Sequence, residues 1–92
     1  MTVLAVMSKA PSEALENAIV NHFPDGHLRV SDTTWFVSAS GATARSVTER
    51  LGITKDGIGG VVVASLTGAY WGMADSATWE WLKTNFERTT DG

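Results

Sequence analysis

Two short apolar runs constrain the fold of this chain more than any other feature. Val3 to Met7 and Val61 to Ala64 are uninterrupted, rich in β-branched valine, and bounded by polar or glycine residues, a pattern typical of strands. A sheet with one solvent-exposed face should instead alternate apolar and polar residues along each strand. We therefore expect the second face of this sheet to be covered by the C-terminal segment, by another subunit, or by both.

Helix and strand patterns alternate along the rest of the chain. Pro11 suits the first turn of one helix, Ser40-Gly41 opens a second that ends before Gly52, and Asp75 or Ser76 caps a third. The resulting order, β-α-β-β-α-β with an appended C-terminal helix, predicts a ferredoxin-like α+β sandwich. Its strands are predicted at residues 2–8, 27–30, 33–39 and 61–66.

Length and charge limit the class of protein. A chain of 92 residues predicts a single domain over residues 1–92, with 89–92 as a frayed tail. The net charge of −3 and the scattered basic residues argue against nucleic acid as a partner. The lack of cysteine fits a reducing compartment. No apolar run is long enough for a signal peptide or a membrane helix, so we expect a cytoplasmic protein without membrane contacts.

The aromatic residues indicate an interface. The spacing of Trp79, Leu82 and Phe86 predicts the buried stripe of the last helix, which would place Trp81 well around the helix from the sheet. An exposed indole there would anchor a partner, although it could also pack over the sheet edge or on neighbouring aromatic residues. The predicted interface residues are Tyr70, Trp71, Trp81, Val61 and Val63.

The polar residues give no pattern for catalysis. His22, Asp25 and His27 surround a turn, but we expect His22 to face the core and bond the last helix carbonyls, and His27 to point outward. The glycines of residues 57–60 follow a helix and open a strand, the reverse of a phosphate-binding loop. We therefore predict no catalytic residue, no metal site and no cofactor.

Three segments resemble a known family. The segments Asp32-Thr-Thr-Trp-Phe-Val, Val61-Val-Val-Ala-Ser-Leu-Thr-Gly-Ala-Tyr-Trp-Gly and Trp79-Glu-Trp-Leu-Lys-Thr-Asn-Phe are similar to small bacterial proteins of the SinR-like family. In outline these resemble the second CRISPR adaptation protein and virulence-associated protein D. The resemblance implies a ferredoxin-like homodimer, with a metal-dependent nuclease in some members.

The end of the first strand departs from that family pattern. The nucleases hold their metal with an aspartate near this point, whereas this chain reads Val6-Met7-Ser8-Lys9. Hard divalent ions prefer carboxylate and carbonyl oxygens, and these side chains supply neither a carboxylate nor an amide carbonyl. We therefore expect no metal-dependent nuclease activity at the end of the first strand.

Three functional hypotheses follow from these patterns. The first is a non-catalytic homodimeric module of bacterial or mobile-element origin, which binds an unidentified protein partner in defence or toxin–antitoxin systems. The second is a divergent metal-dependent endoribonuclease with ligands elsewhere in the chain, and the third is an RNA-binding dimer. Arg45, Arg50 and Lys55, brought together across a dimer, would be the nucleic-acid contacts of the third. The acidic net charge and the missing aspartate favour the first.

Overall fold

The computed structural model describes residues 2–66 and 76–91, with side chains up to residue 85. Within this part the chain forms four strands and three helices. Three of the four predicted strands differ from the observed ones by one residue at one end, and the first agrees at both. The elements are β1 (Thr2–Ser8), α1 (Glu13–His22), β2 (His27–Ser31), β3 (Thr34–Ala39), α2 (Ala44–Arg50), β4 (Val61–Ser65) and α3 (Ser76–Asp91).

The strands form one antiparallel sheet in the order β2-β3-β1-β4. The two strands that are apolar throughout in sequence are placed differently, since β1 is central and β4 lies at an edge. The predicted α+β class is therefore confirmed, and the arrangement is compatible with a ferredoxin-like fold.

The main core lies between one face of the sheet and the first two helices. Leu4 of β1 is in register with Val37 of β3, and Val6 is in register with Trp35, so these four side chains share a face. All four are buried. The helical residues that complete this cluster are Leu15, Ile19, Phe23, Val47 and Leu51.

The third helix covers part of the opposite face. It packs against β1 and β2, and the Trp81 ring lies 6.1 Å from the ring of Phe36 on β3. Val3 and Ala5, which belong to this second face, are buried. The expectation that the C-terminal segment shields the second face is therefore met for the part of the sheet that α3 reaches.

The face of α3 that meets the sheet includes Trp81, which the predicted stripe leaves out. Among the described side chains of α3, Leu82 and Asn85 are buried, and Thr78, Trp79 and Trp81 are half-buried. The ring of Trp81 lies against Phe36 of the sheet. The helix is thus turned so that Trp81 faces the sheet, which corrects the expectation that Trp81 lies well around the helix from it. Of the predicted stripe, Leu82 is buried, Trp79 is half-buried, and the side chain of Phe86 lies outside the described residues.

Both of the first two helices begin later than predicted, and side-chain caps explain why. The Ser12 hydroxyl accepts the N–H of the third residue beyond it, so α1 begins after Ser12 and Pro11 precedes the cap. Gly41 has a φ of 67°, which no right-handed helix contains. The second helix instead begins after Thr43, where the Thr43 and Ser46 side chains form a reciprocal capping box.

Gly26 is a site where any side chain should destabilise the fold. Its carbonyl accepts the Ser38 N–H, and a β-carbon there would lie 2.6 Å from the Ser38 carbonyl oxygen. We expect Gly26→Ala to lower the free energy of unfolding by about 1–3 kcal/mol, because backbone atoms must shift. Gly59→Ala is the matched control, since a β-carbon at Gly59 meets nothing within 4 Å. Equal melting temperatures for the two variants would contradict this close approach.

Candidate functional site

The polar residues near the end of α1 serve the helix itself. The last carbonyls of a helix have no partner within it and need donors from elsewhere. The Arg50 Nη2 donates to the His22 carbonyl at 3.0 Å, and the His27 Nδ1 donates to the Phe23 carbonyl at 2.6 Å. Arg50 and His27 therefore cap α1 from α2 and from β2, and they join three elements at this end of the molecule.

Two expectations for the histidines need correction. His22 is exposed, so it does not face the core as the helical spacing predicts. His27 does not point outward, because it is half-buried and makes the bond to the helix end that the sequence assigns to His22. The reason is that β2 begins directly beneath the helix end and brings the His27 ring to the carbonyl. Among the described residues, no three His, Asp or Glu side chains are grouped as metal ligands.

An open cleft lies beside this cap, between the end of α1 and the side of α3. Its buried polar side chains are Ser38 and Asn85, and the Asn85 amide donates to the Trp81 carbonyl at 2.8 Å. The guanidinium of Arg50 stacks 4.8 Å from the centre of the Phe23 ring, an arrangement that holds it in place. The cleft is thus built from groups that already hold helices together. Its lining residues are His22, Phe23, Pro24, Asp25, Gly26, Ser38, Ala39, Arg50 and Asn85.

The predicted nucleic-acid contacts differ in their partners and in their positions in the structure. Arg45 pairs with Glu49 one helical turn along α2, at 3.2 Å. Arg50 is turned about 140° around the same helix from Arg45, given 3.6 residues per turn, and it caps α1. Lys55 is exposed in the loop that follows α2. Within one copy, the structure therefore directs Arg45 and Arg50 to different faces.

Backbone hydrogen bonds join the end of β1 to the chain on both of its sides. The Ser8 N–H donates to the Thr33 carbonyl, and the Lys9 N–H donates to the Gly60 carbonyl. A shallow pocket at this point is lined by side chains that include no carboxylate. Its lining residues are Met7, Ser8, Lys9, Gly60, Val61 and Val62.

An exposed apolar pair lies on the second face of the sheet at this same end. Met7 of β1 and Val62 of β4 are in register as cross-strand neighbours. Met7 is 38% exposed and Val62 is 62% exposed, among the highest values for large apolar side chains in the described part of the chain. We call this pair the Met7–Val62 surface. Among the described residues, it is a part of the second face that α3 leaves exposed.

The predicted interface residues of β4 lie on the other side of that strand. Val61 and Val63 are half-buried against the main core, whereas Val62 between them points to the second face. Their side-chain contact with a partner stays a prediction, and Val62 is the most exposed of the three valines. In the sequence, a run of three valines does not indicate which side chain is exposed. The signal that reveals it is the pairing of β4 with β1, since Met7 and Val62 fall opposite each other.

Two further predicted interface residues, Tyr70 and Trp71, lie outside the described residues, and Trp81 packs on Phe36. Within the described chain, no helix combines the length and the apolar character needed to cross a membrane.

The resemblance to the SinR-like family stays a prediction. In comparisons with known proteins, the sequence matches no family model and no curated protein.

Proposed function

We propose that this protein is a non-catalytic homodimeric interaction module with a ferredoxin-like fold. The observation that carries the proposal is the Met7–Val62 surface, where two large apolar side chains lie side by side with 38% and 62% of their surface exposed. Contiguous exposed apolar residues on a small domain are typical of protein–protein contact sites. A second copy in contact with this surface would remove part of its apolar area from water.

The free energy gained by burying apolar side chains determines how much area a stable dimer contact must bury. Fully burying a valine or methionine contributes about 1.5–3 kcal/mol, and two copies bring four of these side chains together. Association costs about 4–15 kcal/mol in lost freedom of the two molecules. Met7 and Val62 alone therefore give at most a weak dimer. The predicted contact residues Tyr70 and Trp71 would supply the further apolar area.

The polar residues support a binding function over catalysis. His27 and Arg50, the candidates for proton transfer or anion binding, already hold the end of α1. The chain has no cysteine nucleophile, and Met7, Ser8 and Lys9 stand where the similar nucleases have an aspartate. In this proposal the dimer presents a binding surface to another protein in bacterial defence or toxin–antitoxin systems.

A lysine at the centre of the proposed contact tests the dimer. We expect Val62→Lys to weaken self-association at least about 30-fold, because two like-charged ammonium groups would be brought close together at the contact. Folding should persist, since Val62 is already 62% exposed. Val20→Lys is the matched control, because Val20 is 45% exposed on α1, at the other side of the sheet. Sedimentation equilibrium of both variants gives the dissociation constants.

Two outcomes would contradict the proposal. Equal dissociation constants for Val62→Lys and Val20→Lys would show that the Met7–Val62 surface lies outside the contact. Metal-dependent RNA cleavage that survives purification and disappears in Asp25→Asn or Asp32→Asn would instead support the ribonuclease hypothesis. RNA binding without cleavage, lost in Arg45→Ala, would support the RNA-binding dimer.

A further inference from the structure

We infer that the two copies join through β4, which pairs antiparallel with the β4 of the partner about a two-fold axis at Val63. This inference rests on the proposed homodimer and specifies its geometry. The two four-stranded sheets would thereby become one continuous sheet of twice the width.

The free edge of β4 presents a defined set of backbone groups. The Lys9 N–H donates to the Gly60 carbonyl and the Leu66 N–H donates to the Val3 carbonyl. In antiparallel pairing, such bonds recur at every second residue. The backbone groups of Val62 and Ala64 therefore face β1, and those of the residues between them face away. In the described part of the chain β4 pairs with β1 alone, so the N–H and C=O groups of Val61, Val63 and Ser65 are left for an outside partner.

The two edges of the sheet differ in their protection against pairing. In natural proteins, charges, prolines and bulges keep edge strands from pairing with strands of other molecules. The other edge, β2, has a register shift between Arg29 and Ser31, and Arg29 bridges to Glu16 and Asp32. The edge strand β4 has the sequence Val-Val-Val-Ala-Ser, with no charge, no proline and a continuous register. Of these two edges, β4 is therefore the one that lacks the features that prevent pairing with another strand.

A second copy of β4 fits this edge in one register best. With the axis at Val63, the outward groups of Val63 meet their own copies, and those of Val61 meet the groups of the partner's Ser65 at both ends. All three outward-facing residues are then hydrogen-bonded, whereas a shift of two residues leaves one without a partner. Because the strand carries no charge, the two-fold axis brings no like charges together.

The same register also places the exposed Val62 side chain opposite a small side chain of the partner. Residues on one face stay on one face in a continuous sheet, so Val62 would lie directly opposite the partner's Ala64. The small alanine leaves room for the valine side chain. The Met7–Val62 surfaces of the two copies then become neighbours on the second face of the widened sheet. The edge pairing therefore includes Val62 in the interface, while Met7 lies one strand further from the two-fold axis.

Amide hydrogen exchange followed by NMR tests the pairing residue by residue. We expect the amides of Val61, Val63 and Ser65 to exchange at least about tenfold more slowly at concentrations where the dimer forms than at high dilution. The amides of Val62 and Ala64, bonded to β1, are the internal control and should change little. Light scattering on the same samples reports the dimer independently.

Disulfide capture supplies a second readout that does not depend on exchange. The natural chain has no cysteine, so a mixture of Val62→Cys and Ala64→Cys protein has one intended pair. Opposite residues in a non-hydrogen-bonded pair lie about 4.5 Å apart at Cα, within disulfide range. The mixture should cross-link at least about tenfold faster than a mixture of Val20→Cys and Ala64→Cys.

The outcomes separate this inference from the proposed function. A dimer by light scattering, with concentration-independent exchange at Val61, Val63 and Ser65 and no preferred cross-link, would overturn the β4 pairing and leave the homodimer standing. A monomer at every concentration would overturn both. A dimer with slowed exchange at these three amides and rapid capture would support both.

Discussion

Replacement of Trp35 with alanine is expected to lower the free energy of unfolding by about 3–5 kcal/mol, the cost typical of a buried aromatic side chain. Trp35 is only 2% exposed and faces the first two helices from the central part of the sheet, in register with Val6. Domains of this size have a total stability of about 5–15 kcal/mol, so the variant should be largely unfolded near body temperature if the protein lies at the low end. Urea unfolding followed by circular dichroism measures the loss.

A conservative variant controls for the size of this effect. Trp35→Phe keeps most of the apolar area and leaves a smaller cavity, so it should cost clearly less than the alanine variant. Loss of under about 1 kcal/mol for Trp35→Ala would be too small for a buried indole. Such a result would contradict the position of Trp35 in the main core.

Replacement of Trp81 with alanine is expected to lower the free energy of unfolding by about 1–3 kcal/mol. The side chain is half-buried, and its ring lies 6.1 Å from Phe36 at an angle of 32°. Loss of the indole would weaken the attachment of α3 to the second face of the sheet. Glu80→Ala is the matched control, because Glu80 is exposed on the same turn of the helix and should change stability little.

A double-mutant cycle with Phe36→Leu isolates the ring contact. Aromatic pairs of this kind contribute about 0.5–1.5 kcal/mol beyond their buried area, so the two substitutions should be non-additive by this amount. The sequence hypothesis for Trp81 makes a different prediction, in which the dimer dissociates while the melting temperature stays unchanged. That result would show that α3 presents Trp81 to the partner and would contradict the packing on Phe36.

The position of the strands can be predicted because their signal is local. The run Val3 to Met7 is apolar throughout, and its bounds follow from composition alone. Three consecutive valines in β4 mark a strand equally well, but they are identical in character, so the sequence does not indicate that Val62 is the exposed one. That information comes from the pairing with β1, a contact between distant parts of the chain.

The orientation of α3 is harder to predict because hydrophobicity is a poor guide to its buried face. Asn85 is buried although it is polar, since its amide donates to the Trp81 carbonyl one turn earlier. A pattern search for apolar residues passes over Asn85 and selects Trp79 and Phe86 instead. A satisfied polar group at the end of the stripe is invisible to such a search.

The capping roles of His27 and Arg50 depend on where β2 and α2 lie relative to the end of α1. Each bonds a carbonyl at the end of α1 from a different element, and Arg50 is 28 residues away from its acceptor His22. The sequence correctly indicates that the end of α1 needs donors, because every helix end does. It assigns the role to His22 inside the helix, whereas the donors come from the start of β2 and the end of α2.

The mass of the unmodified chain in solution, measured by light scattering from low to high micromolar concentration, tests the homodimer most directly. We predict a concentration-dependent rise from 9.8 kDa toward twice that value, with the rise reduced in Val62→Lys and retained in Val20→Lys. A constant mass of 9.8 kDa over the whole range would contradict the proposed dimer.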